Sequence, residues 1–210
     1  MTKRVLLGGV LAGVVMFLWG AVSHMALGLG DAGIQSLPGE DKVLDAMREN
    51  LKDAGFYFFP GEPAGVKSGN KDERDAAMKA WTDKFKQGPH GILIYHPEGT
   101  EMMSPGQLLT QLMTDIAVAL VVAFLLGQVA SAMKCFTGRV VFAGLIGLIT
   151  GLAILVPYWN WYGYPANFTI ANMVDQVIGF SLGGLVLAAI VKQTAPAGEA
   201  SPSAQPAESS

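Results

Sequence analysis

The sequence predicts a membrane all-α fold: a bundle of four transmembrane helices with a small α+β extracytoplasmic insertion between the first and the second. Three observations predict it. Only 15% of residues are charged and 51% are hydrophobic, whereas about a quarter of a typical soluble domain is charged. Four long stretches lack acids and bases almost entirely, and each could cross about 30 Å of hydrocarbon at about 1.5 Å per residue. Most of the charge is gathered in one segment, residues 31–104.

The first span is residues 1–30. A basic start, Lys3-Arg4, precedes Val5 to Leu29, where His24 is the one titratable side chain. Gly9-x-x-x-Gly13 offers a close-packing surface and Trp19 an interfacial anchor, both features of a retained helix. The competing reading is a signal peptide with Ala21-Val22-Ser23 as its small-x-small cleavage site.

The insertion, residues 31–104, reads as two helices and two strands. Asp41 to Asp53 is amphipathic, with Val43, Leu44, Met47 and Leu51 on one side and Gly55 as its stop. Asn70 to Glu73 has capping-box spacing, the following helix carries Met78, Trp81 and Phe85 as an apolar stripe, and Gly88-Pro89 ends it. Phe56-Tyr-Phe-Phe-Pro-Gly61 and Gly91-Ile-Leu-Ile-Tyr-His96 read as short strands that pair with each other. So small a unit without a disulfide has little core of its own and is expected to lean on the membrane helices or on a partner.

Ser104-Pro105-Gly106-Gln107 opens the second span, residues 105–133, with a serine cap, a proline in the first turn and a glutamine that completes a capping box. A cytoplasmic turn at 134–139 leads to the third span, 140–158, which contains Gly147-x-x-x-Gly151. An aromatic loop at 159–171 follows, rich in Trp and Tyr as membrane–water boundaries are. The fourth span, 172–191, contains Gly179-x-x-x-Gly183, and the tail at 192–210 has the composition of a disordered segment.

Charge sets the topology. Outside the insertion the basic residues are Lys3, Arg4, Lys134, Arg139 and Lys192, all at one end of the spans. The positive-inside rule puts both termini and the 134–139 turn in the cytoplasm. The insertion and the aromatic loop then lie outside. The partners implied are the lipid bilayer and a protein partner or a second copy of the chain. No basic patch suggests nucleic acid.

Phe17-Leu-Trp-Gly-x-x-Ser-His24, Tyr57-Phe-Phe-Pro-Gly61 and Gly91-Ile-Leu-Ile-Tyr-His-Pro97 resemble segments of a family of uncharacterised small bacterial inner-membrane proteins. The resemblance covers most of the chain except the tail and implies no activity. It implies a bacterial inner membrane with the insertion in the periplasm.

Titratable groups inside spans are the first place to look for function, and here they are His24, Asp115 and Asp175. Counted from the basic residue at each cytoplasmic end, they and Asn160 stand about 17–21 residues up their helices, or roughly 26–32 Å. All four therefore sit near one level. In the second span, Gln111, Asp115, Ala119, Ala123, Gly127 and Ser131 recur at every fourth position, close to one face, and Asp175 leads similarly into Gly179 and Gly183. Small-residue faces pack against other helices, so these polar groups should point into the bundle. The candidate intramembrane polar cluster is His24, Gln111, Asp115, Asn172 and Asp175, with Asn160 and Gln176 as neighbours. A histidine between two carboxylates is placed to relay protons or to hold a divalent cation. The competing reading is structural: near the membrane boundary a carboxylate is cheap, and such groups often serve as hydrogen-bonding glue.

The insertion offers His90, His96 and Glu98 at even spacing, hence on one face of an extended strand, as a weaker metal-site candidate. Their places at strand ends beside prolines favour a structural role. Cys135, the single cysteine, excludes an intrachain disulfide; the flanking Lys134 and Arg139 favour its thiolate. There is no GxSxG, HExxH, P-loop, CxxC or dinucleotide fingerprint. The sequence therefore points to a non-catalytic structural, accessory or interaction subunit without a cofactor. The alternative is a small proton- or cation-linked transporter or channel component built on the polar layer.

Overall fold

The structure, a computed structural model, describes residues 3–191. The expected disordered tail at 192–210, Lys192 included, lies outside the described residues. Four helices are long and apolar enough to cross a membrane: Lys3–Met25, Pro105–Val129, Phe136–Tyr162 and Ala166–Ile190. The first is α1, the second α4 and the fourth α7. The third is continuous but not uniform: α5 (Phe136–Thr150) passes through a π-helical turn, Gly151–Leu155, into α6 (Val156–Tyr162).

Local chemistry accounts for most of the boundaries. α4 starts at a complete capping box, in which the Ser104 hydroxyl accepts from the Gln107 N–H at 3.2 Å and the Gln107 side chain accepts from the Ser104 N–H at 2.8 Å. α1 stops at Met25, and the chain turns back on itself through Gly28, whose φ of 65° suits glycine. The turn between the second and third spans is residues 130–135, not 134–139, because α5 already starts at Phe136.

The aromatic stretch is not the loop expected at 159–171. Trp159 to Tyr162 finish α6, and α7 begins at Ala166, before the expected 172. Tyrosine and tryptophan are tolerated in helices, so the chain breaks only at Gly163, with φ 73°, and at Pro165. Across this corner Tyr158 meets Tyr162 at 5.6 Å and Tyr164 at 5.4 Å, and Tyr164 meets Phe168 at 5.4 Å.

The helices form a square with one weak side. α1 packs between α4 and α7, and α7 packs between α1 and α5, but α4 and α5 touch only slightly. The distal half of the third span packs on α7 and makes no substantial contact with α4. Glycines permit the close crossings. A Cβ on Gly13 would run into the backbone of Ile116 in α4, and one on Gly147 would stand 2.8 Å from the Gln176 carbonyl oxygen in α7. Ala12, Ala119, Ala123, Leu126, Ala143, Phe180 and Leu187 fill the centre.

The stripe that runs at every fourth residue along α4 does not lie on one face. Only its middle, Ala119 and Ala123, is buried, while Gln111, Gly127 and Ser131 are exposed. With 3.6 residues per turn, a four-residue step drifts by about 40°, so five steps carry the stripe to the far side.

At the turn end, Arg139 is only 7% exposed. Its guanidinium donates to the carbonyl oxygens of Met133 at 2.9 Å, Val191 at 2.9 Å and Ala188 at 3.4 Å. A charge read from the sequence as a topology signal thus also closes the C-terminal end of α7.

The insertion contains α2 (Glu40–Asn50), β1 (Gly55–Phe59), a short 3₁₀ turn, α3 (Lys71–Gln87) and β2 (Gly91–Tyr95). β1 and β2 pair antiparallel, with Phe56 opposite Ile94 and Phe58 opposite Ile92. α3 carries the Asn70–Glu73 capping box and covers part of the sheet, stacking Phe85 on Phe58 at 5.8 Å. Trp81 donates from its indole to the Pro60 carbonyl oxygen at 2.9 Å. None of α2, β1, α3 or β2 packs substantially on the four long helices. The support expected from those helices is therefore confined to the flanking segments, where Gly33 lies against Asn167 and Phe168.

Candidate functional site

At the insertion end of the bundle, α1, α4 and α7 enclose a cavity of about 440 Å³. All five side chains of the expected cluster line it: His24 from α1, Gln111 and Asp115 from α4, and Asn172 and Asp175 from α7, with Gln176 beside them. Asn160 is exposed and is not part of the lining. The count of heights was one-dimensional, whereas the π turn shifts the helical phase of everything beyond it, by about 100° per added residue.

Asp175 anchors the site. It is 8% exposed, because Gly179 one turn on lets α7 approach Trp19 of α1 closely. Asp175 Oδ2 lies 3.7 Å from His24 Nε2. Asp175 Oδ1 is buried and has no hydrogen-bond partner among the described residues. The Trp19 indole N–H donates to the Asp175 backbone oxygen at 3.3 Å, a second tie between α1 and α7. His24 in turn sits under the chain that folds back after α1, where Gly30 leaves room for the imidazole and any larger residue would collide with it.

The second carboxylate, Asp115, is half-buried and accepts from the Gln111 amide at 3.0 Å, one turn earlier in α4. Asn172 spends its amide on the Phe168 carbonyl oxygen at 2.9 Å within α7. The polar groups are thus not knitted into one network. Among the described side chains of the expected cluster, the His24–Asp175 pair bridges two helices, while Asp115 and Asn172 each bond within their own.

The rest of the lining was not anticipated as a site. Met16, Phe17, Trp19 and Gly20 come from α1, Met103 from the segment just before α4, Leu108 from the start of α4, and Phe180 from α7. Phe17, Gly20 and His24 recur at helical spacing of three and four, so one stripe of α1 was readable as the floor. Gly20 has open space beside it: a Cβ there would meet nothing within 4 Å.

No group of three His, Cys, Asp or Glu side chains among the described residues could hold a metal ion. This corrects the divalent-cation reading of His24, Asp115 and Asp175, and equally the candidate set His90, His96 and Glu98. His90 instead stacks on Phe85 at 4.7 Å, serving the small core of the insertion.

Cys135 is exposed at the N-terminal cap of α5. The backbone N–H groups of Gly138 and then Thr137 hold its thiol below the ordinary range, and the charge of Arg139 adds least. The sequence had credited its basic neighbours. Arg139 is turned inward to α7, so the exposed helix start does the work.

No protein-family model matches the chain, and no curated protein or solved structure matches it either.

Proposed function

We propose that the chain is a multi-pass protein of the bacterial inner membrane that binds a proton or a cation in the cavity at the periplasmic end of its bundle. In this reading both termini are cytoplasmic and the insertion is periplasmic, which the positive-inside bias of Lys3, Arg4, Lys134, Arg139 and Lys192 in the sequence supports. Retention of the first helix is supported by Ser23, fully buried against the bundle. The observation that carries the binding role is Asp175, a buried carboxylate with one oxygen lacking a donor among the described residues and the other facing His24. A buried carboxylate demands a proton or a positive partner.

Binding is favoured over conduction by what lies beneath the cavity. Ala12, Ala119, Ala123, Leu126 and Leu187 pack the centre of the bundle and offer a cation no ligand on the way to the other end. Trp19 reports on the site, since it lines the cavity and bonds Asp175. With Trp81, Trp159 and Trp161 replaced by Phe, its emission should respond to added cation in the parent and lose that response in Asp175→Asn. A response that persists in both Asp175→Asn and Asp115→Asn overturns the proposal. Proton or cation flux in proteoliposomes would replace binding with transport.

A second reading is an accessory or interaction subunit whose insertion meets a protein partner. It is favoured by the cross-strand pair Phe56 and Ile94, 62% and 60% exposed on an otherwise small sheet. Purification in mild detergent tests it. A stoichiometric partner lost on Phe56→Ser with Ile94→Ser supports the reading, and a lone chain removes it.

A further inference from the structure

We infer that the cavity receives an organic ammonium group carried on an apolar body, with the ammonium at Asp175 and the apolar part among Met16, Phe17, Trp19 and Phe180. This rests on the cation-binding reading above and narrows it to a chemical class.

Charge comes first. Among the described residues the titratable side chains lining the cavity are Asp115, Asp175 and His24, and no Lys or Arg joins them. The lining is thus acidic and selects against anions. Hydrogen bonding comes second. Asp175 Oδ1 is buried without a partner among the described residues, and a buried acceptor is stable only when a donor reaches it. An ammonium N–H is the donor that also matches the charge. His24 is on the other oxygen, and the Asn172 amide is committed to Phe168.

Size and lining favour an organic cation over a bare metal ion. No three metal-ligating side chains converge among the described residues, and about 440 Å³ is far more room than an ion fills. The volume falls within the roughly 300–1,000 Å³ of small-molecule sites. Phe17, Trp19 and Phe180 present aromatic surface, which attracts a cation as well as apolar atoms, and Met16, Met25 and Met103 are adaptable apolar walls. Access follows from the fold. The third span contributes no lining residue, and its distal half makes no substantial contact with α4. The cavity therefore lacks its fourth wall, and an amphipathic molecule can approach with its apolar part in the bilayer.

The test uses the full chain in phosphatidylcholine nanodiscs, with phenethylammonium as probe and phenethyl alcohol as its neutral counterpart, by calorimetry and Trp19 emission. The ammonium should bind at least about tenfold more tightly than the alcohol, and Asp175→Asn should remove that preference. Gly20→Leu should abolish binding of both by filling the cavity, and its Cβ enters without a clash, since nothing lies within 4 Å of that position. Equal binding of the two probes, or ammonium binding unchanged in Asp175→Asn and Gly20→Leu, overturns the inference. If neither probe binds while Trp19 still responds to an added inorganic cation through Asp175, the ammonium inference fails and the cation site stands; loss of both responses removes the two together. Repeating the titration in phosphatidylethanolamine nanodiscs separates the sources: weakened binding assigns the site to a lipid headgroup amine, unchanged binding to a soluble one.

Discussion

Arg139, at the start of the third span, closes the end of the fourth by donating to the carbonyl oxygen of Val191 at 2.9 Å. The same guanidinium reaches Met133, so the turn end of the bundle is held by one side chain with three carbonyl partners. Arg139→Ala should cost about 2–3 kcal/mol, the scale of charge-assisted bonds lost from a buried site. Arg139→Lys should recover less than half of that, because an ammonium lacks the planar fork that serves both α7 and the turn. Unfolding by SDS titration in mixed micelles measures both.

Two glycines of α1 should respond in opposite ways. Gly13→Val would drive a side chain into the backbone of Ile116 and force α1 away from α4. Folded yield in mild detergent should drop severely. Gly20→Ala meets nothing within 4 Å, and exchanging a helical glycine for alanine should be neutral or stabilising by up to about 1 kcal/mol. Thermal stability in the same detergent compares them directly.

Cys135 provides a topology test that needs no engineered residue. Because Gly138 and Thr137 N–H groups hold its thiol below the ordinary range, thiolate persists to lower pH, and a maleimide should react faster with the folded protein than with the SDS-denatured chain near pH 7. The advantage should shrink as pH rises to where both forms are ionised. In intact spheroplasts an impermeant maleimide should label Cys135 only after the membrane is opened. Labelling without permeabilisation would invert the proposed topology.

The capping box at Ser104 ties the insertion to α4. Ser104→Ala removes the bond to the Gln107 N–H and should cost about 1 kcal/mol, while Ser104→Gly should cost only a few tenths. Asn70→Ala, which breaks the equivalent box of α3, should act on the insertion alone, since α3 does not pack substantially on the long helices. Amide hydrogen exchange resolved by segment distinguishes the two.

Much of the candidate site was legible in the sequence. His24, Asp115 and Asp175 stood out because ionisable groups are rare in apolar spans, and counting along straight helices put them at one height. The structure places them around one cavity together with Gln111 and Asn172. Asn160 shared the height but not the face, since a residue count carries no information about the π turn at Gly151–Leu155. The apolar half of the lining stayed hidden because Phe17, Trp19 and Phe180 look the same whether they face lipid, core or a ligand.

The sequence by itself determined the four apolar helices, the capping boxes at Asn70 and Ser104, the strand pair of the insertion and the single cysteine. These depend on composition, on period and on bonds between residues three or four apart, which a linear reading contains. Only the tertiary structure decided that α4 and the distal third span stay apart, that Arg139 turns inward to the end of α7, and that Asp175 keeps a buried oxygen without a partner among the described residues. Each of those depends on how two helices cross, and a crossing is settled by small residues, helical phase and the space left between side chains from distant parts of the chain.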